Sequence, residues 1–298
     1  MRLPDPEPGP RGGPRPDQVR LRLDLAYDGS AFSGWARQPG LRTVQGEVEA
    51  ALTMLLRAAE PVRLACAGRT DAGVNARGQV AHADVPAGLW AALAARGSEA
   101  PVRRLAGILA ADVRVRAMRP APEGFHARWS ALSRTYAYRV SDLAGGADPL
   151  LRSHVLHHTG ARGGLLDIDA MNAAAQSLLG EHDFAAYCRR RDGASTVRSL
   201  LDLHWEREAD TGLAVMWIRA DAFCHSMVRS IVGALLPVGD GRRPVTWPAE
   251  LLAGSERDPD ADVARGIGLC LERVSYPPDH DLAAQALRAR RHRGPDAG

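Results

Sequence analysis

Apolar and polar positions alternate from Leu21 to Tyr27, where Leu21, Leu23, Leu25 and Tyr27 interleave with Arg22, Asp24 and Ala26. A period of two predicts a half-buried strand, and Asp28-Gly29-Ser30 ends it in a turn. Thr43 then offers an N-cap, and Val44, Val48, Leu52, Leu55 and Leu56 share one helical face as far as Arg57. The apolar run Val62 to Ala67 predicts a buried strand, and Gln79 to Val85 predicts another. A strand–helix–strand unit ends at Cys66, and a glycine-bracketed turn leads from its end into the strand at Gln79.

Beyond it, Ala87–Gly97 and Val102–Ala111 are Ala/Leu-rich helices. Val113, Val115 and Ala117 alternate with Arg114 and Arg116, giving a strand with an arginine-bearing face. Arg134 to Val140 is a β-prone run that sets Tyr136 and Tyr138 on one side. After a loop over 142–152, Asp167 caps a helix with Ile168, Met171, Ala175 and Leu178 inward, and Gly180 stops it. Two strands, one holding Leu201, Leu203 and Trp205 and the other Leu213, Val215 and Trp217, form a hairpin around Asp210-Thr211-Gly212. Met227, Ile231 and Leu235 share a helical face that carries Arg229 in apolar company; a guanidinium there calls for a carboxylate partner. Residues 240–262 are acidic and proline-rich and predict a peripheral segment around a short helix. Six prolines within residues 1–18 predict a disordered leader, and 281–298 form a basic tail.

The 298 residues suffice for one long domain or two coupled halves, and 45% hydrophobic with 24% charged residues is a globular composition. The chain has no lysine, so all 38 basic residues are arginines. That removes Schiff-base chemistry and a Walker-type phosphate loop, and leaves any polyanion to guanidinium forks. A net charge of +3 makes no case for nucleic acid, but residues 101–140 carry eight arginines against Asp112 and Glu123, a candidate phosphate footprint. Arg189-Arg190-Arg191 is a second. The four cysteines, at 66, 188, 224 and 270, form no close pair, which argues against a zinc knuckle or disulfide scaffold and for a reduced, cytoplasmic setting. His154, His157 and His158 fit no closed zinc spacing, so no metal site is expected. Neither a membrane span nor a signal peptide is expected.

The turn at 68–78 holds a lone carboxylate, Asp71, between Arg69 and Arg77, with glycines at 68, 73 and 78 that let a planar ligand approach the backbone. By spacing alone, Asp71 is an Asx-type turn former. The whole string, Gly68-Arg69-Thr70-Asp71-Ala72-Gly73-Val74 followed by Gly78-Gln79-Val80, closely resembles the signature loop of the tRNA pseudouridine synthase A family. Tyr27 to Gln38, Phe125-His126-Ala127-Arg128 with Arg134-Thr135-Tyr136-Ala137-Tyr138, Gly180 to Phe184, Asp221 to Gly233 and Gly268 to Pro277 resemble its other motifs.

The resemblance implies an α/β (α+β) pseudouridine synthase fold, with two RRM-like or ferredoxin-like halves, a mostly antiparallel central sheet and a cleft between the halves. The halves would be 19–141 and 142–280. It implies isomerisation of uridine to pseudouridine at positions 38, 39 and 40 of the tRNA anticodon arm, without cofactor, by a homodimer. Asp71 would be the nucleophile, Arg229 its partner, Tyr136 and Leu269 the faces that hold the flipped uracil, and Arg69 a brace for the vacated space or a flanking phosphate. The family usually has His where this chain has Asn75, which keeps one hydrogen bond and no charge. The alternative is a non-catalytic RNA-binding protein, because a sheet presenting Tyr and Arg also binds RNA without chemistry. A carboxylate-nucleophile hydrolase is a remoter reading.

Overall fold

A computed structural model describes residues 13–160, 163–189, 195–254 and 256–293. Most of the leader, the end of the basic tail, and Arg190 and Arg191 of the arginine triplet lie outside the described residues. The fold is mixed α/β with mostly antiparallel strand pairing, as the resemblance implied. The chain forms two compact units: one runs to Leu132 and resumes at Arg273, the other spans Ser133–Glu272.

In the first unit, β1 (Gln18–Tyr27) lies between β4 (Val113–Pro120) and β3 (Asn75–Pro86), antiparallel to both. The alternation read from the sequence is realised: Leu21, Leu23 and Leu25 are fully enclosed. Helix α1 (Val44–Leu56) buries the predicted face, Thr43 caps it by accepting from the Gly46 N–H, and Arg57 ends it in the left-handed region. Helices α2 (Ala87–Ala94) and α3 (Ala100–Ile108) are shorter than the runs that predicted them, and α7 (Leu282–Arg293) closes the chain.

Two strand expectations need correction. Of Val62–Ala67 only β2 (Ala65–Cys66) is a strand, paired with β3. The Val62 N–H donates to Thr53 Oγ1 at 3.0 Å and the Leu64 N–H to Glu49 Oε1 at 2.9 Å, so side chains of α1 take the bonds a sheet neighbour would have made. In β4 the simple alternation fails after Val115. Leu25 pairs with Val115 and Asp24 with Ala117, which leaves Arg116 as an extra residue; parity flips and Met118, not Ala117, is buried.

In the second unit, β5 (Ser133–Ser141), β9 (Ala214–Ala220), β8 (Val197–Arg207) and β7 (Gly180–Asp183) follow one another across an antiparallel sheet, and β6 (Leu156–His157) runs parallel to β5. The predicted hairpin is β8–β9, with Gly212 at φ +67°. Gly180, also at positive φ, opens β7 after α4 (Ile168–Ala175) and a 3-10 turn. Helix α5 (Met227–Gly239) encloses Met227, Ile231 and Leu235 completely. α6 is Trp247–Leu252. The stretch expected to be peripheral is not so throughout: a Cβ on Gly233 of α5 would lie 1.8 Å from the Asp262 carbonyl oxygen, so this segment packs directly on the helix. β10 (Leu269–Ser275) belongs to the second unit through Glu272 and to the first from Arg273.

Candidate active site

The Asp71 turn is built from backbone contacts. The Val74 N–H donates to the Asp71 carbonyl at 3.2 Å, and the Trp35 N–H donates to the Thr70 carbonyl at 2.9 Å. Thr70 is buried with its Oγ1 2.8 Å from the Tyr27 hydroxyl. Gln79, wholly enclosed, donates through Nε2 to the Gly68 carbonyl at 2.7 Å and to Tyr27 Oη at 3.2 Å, bridging the two ends of the turn. Asn75 Oδ1 accepts from the Gly29 N–H at 2.8 Å, an acceptor role that an imidazole nitrogen can also fill. Two glycines make the approach possible. A Cβ on Gly29 would fall 2.0 Å from the Val74 carbonyl oxygen, and one on Gly34, at φ +95°, 2.9 Å from that of Thr70. Asp71 is left half-buried, with Arg69 and Arg77 exposed on either side. Trp35 is a packing residue, buried with its ring 6.1 Å from that of Tyr27.

Further along β3, His82 and His126 are buried with ring centroids 4.5 Å apart. His82 Nδ1 accepts from the Ala127 N–H, and His126 Nδ1 accepts from those of Arg128 and Trp129. Burial, with the Arg20 charge added, pushes His82 down to about 3. Burial, with His82 and nearby arginines, pushes His126 down to about 2. Burial thus favours the neutral form of both rings.

In the second unit, Tyr136 stands on β5 opposite Ile218, buried, with the Phe223 ring edge-on at 5.3 Å. Tyr138, on the same side, is fully enclosed and donates its hydroxyl to the Arg265 carbonyl at 2.7 Å. Burial raises that hydroxyl's pKa well above the ordinary tyrosine value, so Tyr138 is a structural donor. Gly268 makes room for it, since a Cβ there would lie 2.7 Å from the Tyr138 ring. Leu269 follows, buried at the start of β10. Arg229, in the first turn of α5, donates through Nε to the Ala264 carbonyl at 2.6 Å, and the Ala264 N–H returns a bond to the Arg229 carbonyl.

The expectation that no two cysteines pair is overturned here, so a cytoplasmic setting no longer follows from the cysteines. Cys188 and Cys224, 36 positions apart, are disulfide-bonded with Cα atoms 5.7 Å apart, while Cys66 and Cys270 are free and buried. Sequence spacing concealed a pairing made by tertiary folding. His158 lies 3.3 Å from Asp240, a pairing role. Among the described residues no group of three or more His, Cys, Asp or Glu is placed to hold a metal.

Of the expected site residues, Asp71 and Arg69 share the turn of the first unit, and Tyr136, Arg229 and Leu269 belong to the second. Three supporting residues escaped sequence reasoning. Phe223 left no signal beyond its place in a motif. Glu49 carries no sequence signal for burial, yet is buried and accepts from Gln45 and Leu64. Arg257 lay in a stretch that composition marked as solvent-facing.

Comparison with known proteins gives the class first: residues 174–277 match the family model described as tRNA pseudouridine synthase. The chain is 56% identical to the tRNA pseudouridine synthase A of Streptomyces griseus, over 95% of this chain and 97% of that protein. It is 54% identical to that of Frankia casuarinae, covering 90% and 93% of the two chains, and 48% identical to that of Mycobacterium leprae, covering 92% and 95%. The chain belongs to the tRNA pseudouridine synthase A family. No helix among the described residues is long and apolar enough to cross a membrane.

Proposed function

We propose that this chain converts uridine to pseudouridine at positions 38, 39 and 40 of the tRNA anticodon arm, acting in the cytoplasm as a homodimer. The reaction breaks the bond from C1′ to N1, forms one from C1′ to C5, and moves the C5 proton away while N1 gains one. Atoms and electrons balance within the nucleotide, so the step calls for no redox partner. Asp71 is the nucleophile, and its turn is fixed by carbonyl contacts that leave little freedom to reorganise during attack. Tyr136 and Leu269 hold the everted uracil, offsetting the few kcal/mol, roughly, that unstacking costs. Arg69 braces the RNA, and Arg229 completes the substrate-binding set.

The observation that carries this reading is likeness to named tRNA pseudouridine synthases over nearly the whole chain, with Asp71 set in a turn that its neighbours lock. The test is pseudouridine formation in an unmodified anticodon stem-loop. Wild type converts it; Asp71→Asn retains binding within a few-fold and loses roughly 10⁴-fold or more in rate. Wild type that binds the RNA and converts none of it would establish the non-catalytic RNA-binding alternative instead.

A further inference from the structure

Three guanidinium groups of the second unit crowd around the start of α5. Arg257 reaches the helix from the segment after α6 and donates through Nη2 to Ser230 Oγ at 2.9 Å and to the Tyr187 carbonyl at 3.4 Å. Its Nε is enclosed and meets no acceptor among the described residues. Arg229 is one residue before Ser230, tied to Ala264. Arg189 is exposed, and its backbone N–H donates to the His225 carbonyl at 2.9 Å, beside the Cys188–Cys224 bond. Burial and the charges of Arg229 and Arg189 lower the pKa of Arg257.

The arrangement is costly without an external anion. Among the described residues, three other arginines that are largely shielded from solvent meet carboxylates: Arg20 with Asp84, Arg139 with Glu272, Arg207 with Asp142. Arg189 and Arg257 have no carboxylate within salt-bridge distance among the described residues, and each adds to the other's positive field. Hydrogen bonds to neutral oxygens orient Arg257 but do not neutralise it.

We infer that Arg189 and Arg257 form a phosphodiester subsite for the RNA strand, with Arg189 the outer contact and Arg257 a preset inner charge. The inference rests on the RNA-substrate reading above. Guanidinium forks suit this ligand because they present two donors to two phosphate oxygens. The Cys188–Cys224 bond fixes the spacing of the backbone segments that carry Arg189 and the start of α5.

The test uses the full chain and an unmodified anticodon stem-loop, with Kd measured by fluorescence anisotropy across a salt series and pseudouridine formation measured in parallel. Arg189→Gln and Arg257→Gln should each weaken binding about 10-fold at low salt and flatten the slope of log K against log salt by about 0.9, the loss of one phosphate contact. Arg257→Lys should keep most of the slope, because it keeps the charge. A purely structural Arg257 would instead lower Tm with the slope unchanged, and wild-type slopes in both Gln variants overturn the subsite. Should Arg257→Gln fail to fold, Arg189→Gln decides, since its side chain is exposed. Competition by inorganic phosphate as effective as that by RNA, at equal phosphate concentration, also overturns the inference, as it would show a free-anion site. Wild type that binds with the full salt slope yet forms no pseudouridine would sink the catalytic reading and leave this subsite standing.

Discussion

The turn bearing Asp71 and the segment bearing Arg229 share main-chain contacts and side-chain bonds but differ in the proportion of each. The first adds to the bonds of Gln79, Thr70 and Asn75 a clasp of main chain and glycine: the carbonyls of Thr70 and Val74 lie where side chains on Gly34 and Gly29 would go. The second is fastened by side chains, through the Cys188–Cys224 bond, the Phe223 ring against Tyr136, and Arg257 on Ser230. A clasp of backbone fails when atoms are added; a fastening of side chains fails when atoms are removed. The two units therefore have different weak points, and separate perturbations should find them.

The largest effect is expected from opening the disulfide. Closing a loop of 36 positions restricts the unfolded chain, so Cys188→Ser or reductant should cost the second unit roughly 3–4 kcal/mol. Hydrogen exchange should show α5 and the segment before it losing protection while β1 and β3 keep theirs. Equal loss in both units would break the comparison.

Acid should do the reverse. His82 and His126 have folded pKa values below the ordinary 6.5, at about 3 and about 2. The unfolded chain then binds more protons below pH 6.5. Their neutral burial is fully tolerated above that pH, and stability falls as pH drops from 6.5 towards 3. At pH 5 each ring should cost about 2 kcal/mol. The depressed carboxylates, Asp142 in the second unit among them, keep their contribution until pH falls below the ordinary value of 3.8. Between pH 6.5 and 4, exchange should therefore rise first in β3 of the first unit, and His82→Gln should blunt that response.

Adding one methyl group is the next test. Gly29→Ala should destabilise by about 1–3 kcal/mol and lower turnover, since a Cβ 2.0 Å from a main-chain oxygen forces the turn to move. Gly88→Ala in α2, where a Cβ meets nothing within 4 Å, should be neutral or stabilise by about 0.5–1 kcal/mol. Similar losses at both positions would mean that the clasp is not steric.

The smallest expected effect is at Asn75. Asn75→His should keep the acceptor for the Gly29 N–H and change stability by less than about 1 kcal/mol, whereas Asn75→Ala strands that donor and costs about 1–3 kcal/mol. A sharp rise in turnover for Asn75→His, with unchanged Tm, would show that a ring charge matters beyond the acceptor role toward Gly29.

Local patterns were legible wherever one neighbour decided the outcome. The alternation of β1, the Thr43 cap, the apolar face of α1 and that of α5 follow from period and propensity, and the family motif marked Asp71 within a single uninterrupted string. Features set by partners distant in sequence were not legible. Glu49 and Thr53 end a strand by offering side-chain acceptors; Arg116 bulges out of β4; Cys188 meets Cys224; Arg257 turns inward from an acidic stretch. Each depends on a residue that no periodicity names.

The route of the chain carries a last consequence. The unit that holds Asp71 is interrupted by 133–272 and finished by later residues: the Tyr276 hydroxyl donates to the Ala127 carbonyl at 2.7 Å, the Leu132 N–H donates to the Ser275 carbonyl, and Ala283 sits against Gly124. A ribosome thus emits the carboxylate well over a hundred residues before those that close its unit. The segment from 133 to 272 has its own residues in hand first, so the later-made unit is the one able to mature earlier, and a nascent chain carries Asp71 in an unfinished unit.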